Sequence, residues 1–320
     1  LEREKGEFAK DLRCWENECA AIDRGIRLLK ESSEHWNGAG VQPDPMGAPF
    51  EAWLTMNAAM GEVGKGKYDS WRLFQIAFIV SMVPAFATRI RGFHHFYTEE
   101  GAEQQINAVT LLYFATGGGK SEAFLGLLLF VLVLDRLRGK ERGVSSLMRY
   151  PLRLLTLQQA RRTMRVLAAG EVQRGIRKHP GEPLSLGFWV GSSNTPNWRS
   201  DPEISDVPTL DKIPAERESE MEEVEAYTRR KSAWLKLETC PFCGSRTVLR
   251  RAPKREGGIL GHYCSAPLVS CEWGKRHAER RALPFYIVDE DIYAIAPSVL
   301  LGTVDKLAVI GQSFKTIRKV

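Results

Sequence analysis

The 320 residues are 43% hydrophobic and 26% charged, with a formal net charge of +6 and an isoelectric point near 9.0. That is the balance of a soluble globular protein with room for two or more domains of about 100–200 residues each. It excludes a membrane-spanning helix of about 20 apolar residues, because the longest apolar run, Ala123 to Leu134, is too short and the run Leu73 to Ala87 is broken by Gln75 and Pro84.

Four of the six cysteines cluster between 240 and 271, which is not the even scatter of a secreted disulfide scaffold and predicts a reducing, cytoplasmic setting. The chain has no initiator Met, and its first residues are helical rather than signal-like, so a piece of a longer protein is expected.

Residues 1–67 alternate helical patterns with Gly/Pro breaks. Phe8, Leu12, Trp15, Ala20, Ile22, Ile26 and Leu29 recur near helical spacing, 35–49 reads as a loop, and Phe50 to Met60 reads as a second helix. This region names no chemistry and is expected to be a helical cap or docking surface.

From residue 68 the pattern becomes strand and helix in alternation. Val109 to Phe114 is an apolar, β-rich run. It leads into Ala115-Thr116-Gly117-Gly118-Gly119-Lys120-Ser121, and Glu122 to Leu134 then reads as an apolar helix. A strand, a glycine loop ending in Gly-Lys-Ser and a helix form the setting in which backbone N–H groups cradle phosphates. Thr116, Gly117, Gly118, Gly119, Lys120 and Ser121 are therefore the expected nucleotide site, with Lys120 reaching the β/γ-phosphates of ATP and the Ser121 hydroxyl on Mg²⁺. The strict phosphate-loop pattern has Gly where Phe114 stands, so the match is to the helicase-type variant.

Upstream, Trp71 to Ile79 places Gln75 on an apolar helix. A carboxamide pairs with the N6/N7 edge of adenine in one step, and the stretch resembles the adenine-reading motif of superfamily 2 helicases. The bland alternative is a hydrogen-bonded surface group.

Gly143 to Tyr150 and Leu184 to Gly191 read as further strands, separated by a helix from Leu152 to Ala169. The βαβαβ order predicts an α/β fold with a mainly parallel sheet, whose ligands bind at the carboxyl ends of the strands. Twelve basic residues against two acidic ones lie between Arg136 and Lys178, which suits a polyanion. Ten acidic residues against Lys212 and Arg217 lie between Asp201 and Glu225, read as a solvated linker or helix.

Residues 192–295 form an insertion. Within 236–276, Cys240-Pro-Phe-Cys243-Gly244 has knuckle geometry, and Cys264 and Cys271 supply two more thiols. Four thiolates, with about twenty residues between the pairs, close a tetrahedral Zn²⁺ site of structural type; a redox pair is the rival reading. Asp289-Glu290-Asp291 follows a short strand and reads as a solvated turn rather than as catalytic carboxylates. Residues 296–320 resume the sheet, with Thr303 a natural helix cap.

In order, these segments resemble the first motor domain of a superfamily 2 helicase: Ala115 to Ser121 as motif I, Arg149 to Arg153 through Gln158-Gln159 as motif Ia, and Gly302 to Leu307 as motif Ib. More narrowly, residues 50 to 320 resemble the helicase subunits of DISARM phage-defence systems. The resemblance implies a RecA-like P-loop NTPase domain with a helical N-terminal region and a zinc-ribbon insertion. It implies an ATP-dependent DNA helicase or translocase, with ATP, Mg²⁺ and Zn²⁺ as cofactors, DNA as partner (RNA left open) and other defence subunits alongside.

Arg149, Arg153, Gln158, Thr303 and Lys306 would then contact one nucleic-acid strand, with Gln75 on adenine. The carboxylates of motif II are expected beyond Val320, so the catalytic residues are unassigned and this stretch alone is expected not to turn over ATP. The alternatives are a nucleotide-gated scaffold without strand separation and a restriction-type DNA motor.

Overall fold

A computed structural model describes residues 2–99, 107, 109–113, 117–150, 153–190, 195–253, 257–277, 281–304 and 306, the side chains of 2–7 and 153–155 excepted. The chain divides into two compact units, 1–140 with 173–180, and 141–172 with 181–320. The expected boundary at 67/68 falls inside the first of these.

The first unit is helical. Helices α1 (Glu2–Glu34), α2 (Ala48–Gly64), α3 (Leu73–Ala87), the short α4 (His95–Thr98) and α5 (Lys120–Leu137) build it. Leu129, Phe130, Leu132, Val133 and Leu134 are fully buried on α5, and Met56, Ala59, Ile79 and Val83 are buried on α2 and α3. The near-continuous apolar sequence of α5 follows from burial on most of its faces. At Gly126 an added Cβ would lie 2.8 Å from the Trp71 ring and 3.0 Å from Ile79, and the Trp71 indole donates to Asn57 at 2.8 Å.

The loop before α2 is organised around a buried carboxylate. Glu51 accepts from the Trp36 indole (2.7 Å), the Gly40 amide (3.1 Å), both Nε and a terminal nitrogen of Arg177 (2.7 Å each), and lies 2.7 Å from His179 Nε2. Burial alone would raise its pKa, but bonds from His179, Arg177, Trp36 and Gly40 outweigh that and hold it down at about 2, against 4.5. A depressed carboxylate stabilises the fold above its unfolded pKa and loses that stabilisation as pH falls through the folded value. The shift is worth about 3 kcal/mol, so the urea midpoint of the native protein should fall steeply from about pH 5 towards pH 2. The Glu51→Gln variant should start lower at pH 7 and show a flatter decline.

In the second unit, strands β1 (Ser146–Tyr150), β2 (Leu186–Trp189), β5 (Phe285–Tyr286) and β6 (Val299–Thr303) form an all-parallel sheet in the order β1-β6-β2-β5. Leu186, Val299, Leu301 and Phe285 are fully buried, as continuous apolar strands of parallel sheets are when both faces are covered. Helix α6 (Arg153–Ile176) follows β1, and the α/β layering matches the expected fold class at this level.

One expected strand is not formed. Residues 109–113 have no regular structure, and Val109, Leu111 and Tyr113 are 97%, 84% and 92% exposed. A strand needs a neighbour for its backbone N–H and C=O groups, and no strand among the described residues pairs with this run.

Of the two readings of the acidic stretch, solvated linker or helix, the structure forms helical turns with most of the carboxylates exposed. Short helical turns at Pro202–Asp206 and Ala215–Met221 and helix α7 (Glu225–Trp234) fold against a two-stranded antiparallel ribbon, β3 (Thr247–Arg251) with β4 (Leu260–Cys264). Ala215, Val248 and Tyr263 share a small core. Beneath it, fully buried Arg250 pairs with Glu218 at 2.8 Å and donates to the Tyr227 hydroxyl at 3.0 Å. An unpaired guanidinium there would cost several kcal/mol, so Glu218 is a structural counter-ion.

Candidate nucleotide and metal sites

In the first unit, Gly117 and Gly119 have φ of +79° and +91°, and Gly119 caps the start of α5. Only glycine adopts this geometry without strain. Left-handed residues alternating with ordinary ones turn successive amides inward into an anion-binding nest, and the helix adds its positive end. Lys120 and Ser121 are the first two residues of α5. Thr116 lies outside the described residues.

The loop is tied down from α3. Gln75 Nε2 donates to the Gly119 carbonyl at 2.8 Å, Gln75 Oε1 accepts from the Arg72 amide at 2.8 Å, and the Arg72 guanidinium donates to the Gly118 carbonyl at 2.8 Å. Gln75 is buried. Its carboxamide is thus engaged with the loop backbone and its own helix start, and Arg72, which sequence reasoning did not single out, is a second tether. The signal for both was the Arg-Leu-Phe-Gln order at a helix N-terminus. Gln75→Ala should lower stability by about 1 kcal/mol and weaken nucleotide binding about fivefold, read by thermal melting and by nucleotide titration.

In the second unit, β1 and β6 bring several expected residues to one sheet end: Arg149 lies opposite Gly302, and Tyr150 opposite Thr303. Arg149 and Gln158 are exposed, and Thr303 is buried at 6% exposure. Arg153 starts α6, its side chain lying outside the described ones. Lys306 is held internally: its ammonium pairs with Asp289 and stands 5.9 Å from the Trp189 ring centroid.

Asp289 and Asp291 therefore do not sit in a solvated turn. They open helix α9 (Asp289–Ile295) at 6% and 0% exposure. Arg199 pairs with Asp291 and donates its backbone amide to Glu290 at 2.9 Å. Burial pushes Asp291 up to about 6, Arg199 opposing; Asp289 is also raised by burial, opposed by Lys306. The apolar residues before them hid this, because the compensating Arg199 lies 92 positions before Asp291.

Several members of the basic block are likewise spent inside the fold. Arg174 donates to the His179 carbonyl and Arg138 pairs with Asp135, beside the Arg177 bonds to Glu51. Arg142, Arg149, Arg165 and Lys178 are exposed.

The Sγ atoms of Cys240, Cys243, Cys264 and Cys271 all lie within 4.8 Å of one another. Cys240–Cys271 is 3.8 Å and Cys243–Cys264 3.5 Å. A regular tetrahedron with metal–sulfur bonds of about 2.3 Å has edges of about 3.8 Å, so four thiolates here can hold a Zn²⁺ ion. The knuckle turns at Gly244, φ +77°; Cys264 ends β4, and Cys271 precedes the short helix α8 (Glu272–Arg276).

Contacts with Cys264 and Cys271, and then burial, raise the Cys240 pKa. Cys271 is lowered as it accepts from Cys240 and Cys264 and from the Gly274 and Trp273 amides. Thiols so close ionise together only around a cation. Phe242 and Trp273 pack 5.2 Å apart beside the cluster. His262, two residues before Cys264, is fully buried, accepts from the Lys236 amide at 3.0 Å and meets the Phe285 ring edge-on. Its pKa is pushed down to about 3 by burial, then by Lys236.

Among the described residues no single helix is long and apolar enough to cross a membrane. No protein-family model matches the chain. Over 260 residues it is 33% identical to a protein of Bacillus paralicheniformis (strain ATCC 9945a / NCIMB 11709 / CD-2) named DISARM protein DrmA, a match covering 77% of this chain and 20% of that protein. The chain is homologous to it and spans about a fifth of its length.

Proposed function

We propose that this homologue of DISARM protein DrmA contributes the nucleotide-binding part of a superfamily 2 helicase-type ATPase that acts on DNA in phage defence. The observation that carries the reading is the loop Gly117–Gly119: two left-handed glycines, Lys-Ser at the head of an 18-residue helix, and two tethers from α3. Gly117, Gly118 and Gly119 would hold the phosphates of ATP with Thr116, Lys120 would neutralise the β/γ-oxygens, and Ser121 would ligate Mg²⁺. Gln75 would brace the loop and present its remaining N–H to adenine.

Arg149, Arg153 and Gln158 are proposed nucleic-acid contacts of the second unit, and Lys306 and the buried Thr303 would join them once Lys306 is released from Asp289. Phosphate contacts of this kind position a strand without reading its sequence, and their strength falls steeply with salt. The four cysteines would bind one structural Zn²⁺ in the ribbon, and other subunits of a defence complex are proposed partners. A second reading, a nucleotide-gated scaffold that separates no strands, draws on the pairing of Lys306 with Asp289.

The test is ATP hydrolysis by the full-length protein with and without DNA. A DNA-stimulated rate supports the motor. Saturable nucleotide binding with a rate that DNA leaves unchanged supports the scaffold, and absence of both overturns the reading.

A further inference from the structure

The stretch Lys10 to Ala20 of α1 lacks the covered apolar face that normally stabilises a surface helix. Every residue from Lys10 to Ala20 is exposed, whereas an isolated helix of this length is marginal in water unless an apolar face is covered. Among the described residues of α1, the buried ones are Arg24, Gly25, Leu28, Leu29 and Ser32 in its second half. There the backbones come so close that a Cβ on Gly25 would lie 2.0 Å from the Val80 carbonyl oxygen.

Phe8, Leu12, Trp15, Cys19, Ile22 and Ile26 are spaced four, three, four, three and four residues apart, a row that the buried Leu29 continues into the body. That is an unbroken a/d seam, the pattern of helices that pair with another helix. Phe8, Leu12, Trp15 and Ile26 are 63%, 42%, 57% and 53% exposed, a contiguous apolar stripe of the kind that marks a binding surface. Of the seam, Ile22 also borders a groove of about 470 Å³ that lies beside it between α1 and α3, lined further by Ala21, Phe78, Met82 and Leu111.

The flanks of the seam state what kind of helix fits. Of its e and g positions, Glu16 and Asp23 on one side and Asp11 and Glu18 on the other are acidic, Asp23 being bonded to Arg27 at 2.9 Å, while Ala9 and Gly25 are uncharged. A second copy of α1, parallel or antiparallel, would set carboxylate against carboxylate across the seam. Those positions choose partner and orientation in paired helices. We infer that the N-terminal half of α1 docks an amphipathic helix of a partner protein whose apolar seam is flanked by lysine or arginine.

The test uses the full-length protein and two labelled helical peptides with the same Leu/Ile heptad seam, one flanked by Lys and one by Glu. Fluorescence anisotropy should show the Lys-flanked peptide binding at least about tenfold more tightly at low salt, with the difference narrowing as salt rises. Leu12→Glu and Trp15→Glu should abolish that binding while the thermal melt stays unchanged, since both side chains are exposed. Three outcomes overturn the inference: equal binding of the two peptides, no binding of either, or a dimer in light scattering that the Trp15→Glu change dissociates.

Discussion

Replacing Lys120 with Ala in the full-length protein should reduce ATP hydrolysis by at least about 100-fold. Phosphoryl transfer depends on positioning and charge stabilisation rather than on covalent chemistry by the protein, and removing one such charge typically costs about 3–4 kcal/mol. Lys120 is the first residue of α5, directly after the left-handed Gly119, so its loss leaves the backbone nest intact and removes the cation. The structural control is the thermal melt, which should change little because Lys120 is not part of the apolar core. An Arg at 120 is not a conservative rescue, since the forked guanidinium does not replace a compact ammonium.

The second large effect is expected at the four cysteines. Freshly purified protein should contain one zinc ion per chain, and Cys240→Ser or Cys271→Ser should lose it. Structural zinc contributes folding free energy directly, about 10–16 kcal/mol in small zinc domains. The ribbon should then open around Trp273, which packs on Phe242 beside the thiols. Strong chelation of the native protein should give the same rise in protease sensitivity between 236 and 276. Metal below half an equivalent, or a ribbon that stays folded after Cys240→Ser, would contradict the assignment. Cys14→Ser and Cys19→Ser serve as controls, because both residues are exposed and lie outside the cluster.

What could be read from the sequence was what short-range chemistry dictates. Glycines at 117 and 119 announced a turn that only glycine makes, the continuous apolar runs at Val299–Leu301 and Leu186–Trp189 announced buried parallel strands, and Cys-x-x-Cys-Gly announced a knuckle. What escaped depends on partners far along the chain. Glu51 meets Arg177 and His179 across more than 120 residues, and the buried Asp289 and Asp291 depend on Lys306 and Arg199.

The acidic stretch 201–225 looked solvated because its charges dominate. It folds because Ile204, Val207, Ala215 and Met221 are buried between them. At 109–113 the opposite holds: β propensity is a local preference, but a strand requires a paired neighbour. The basic block misled in a similar manner, since counting charges does not reveal which are already paired; Arg138, Arg174 and Arg177 are.

Gly117 to Ser121 are proposed to hold the phosphates of a nucleotide. Calorimetric titration of the full-length protein with a slowly hydrolysed Mg–ATP analogue tests it most directly. One site per chain is expected in the native protein, with at least about tenfold weaker binding after Lys120→Ala. Absence of binding in the native protein, or equal affinity in the variant, would contradict it.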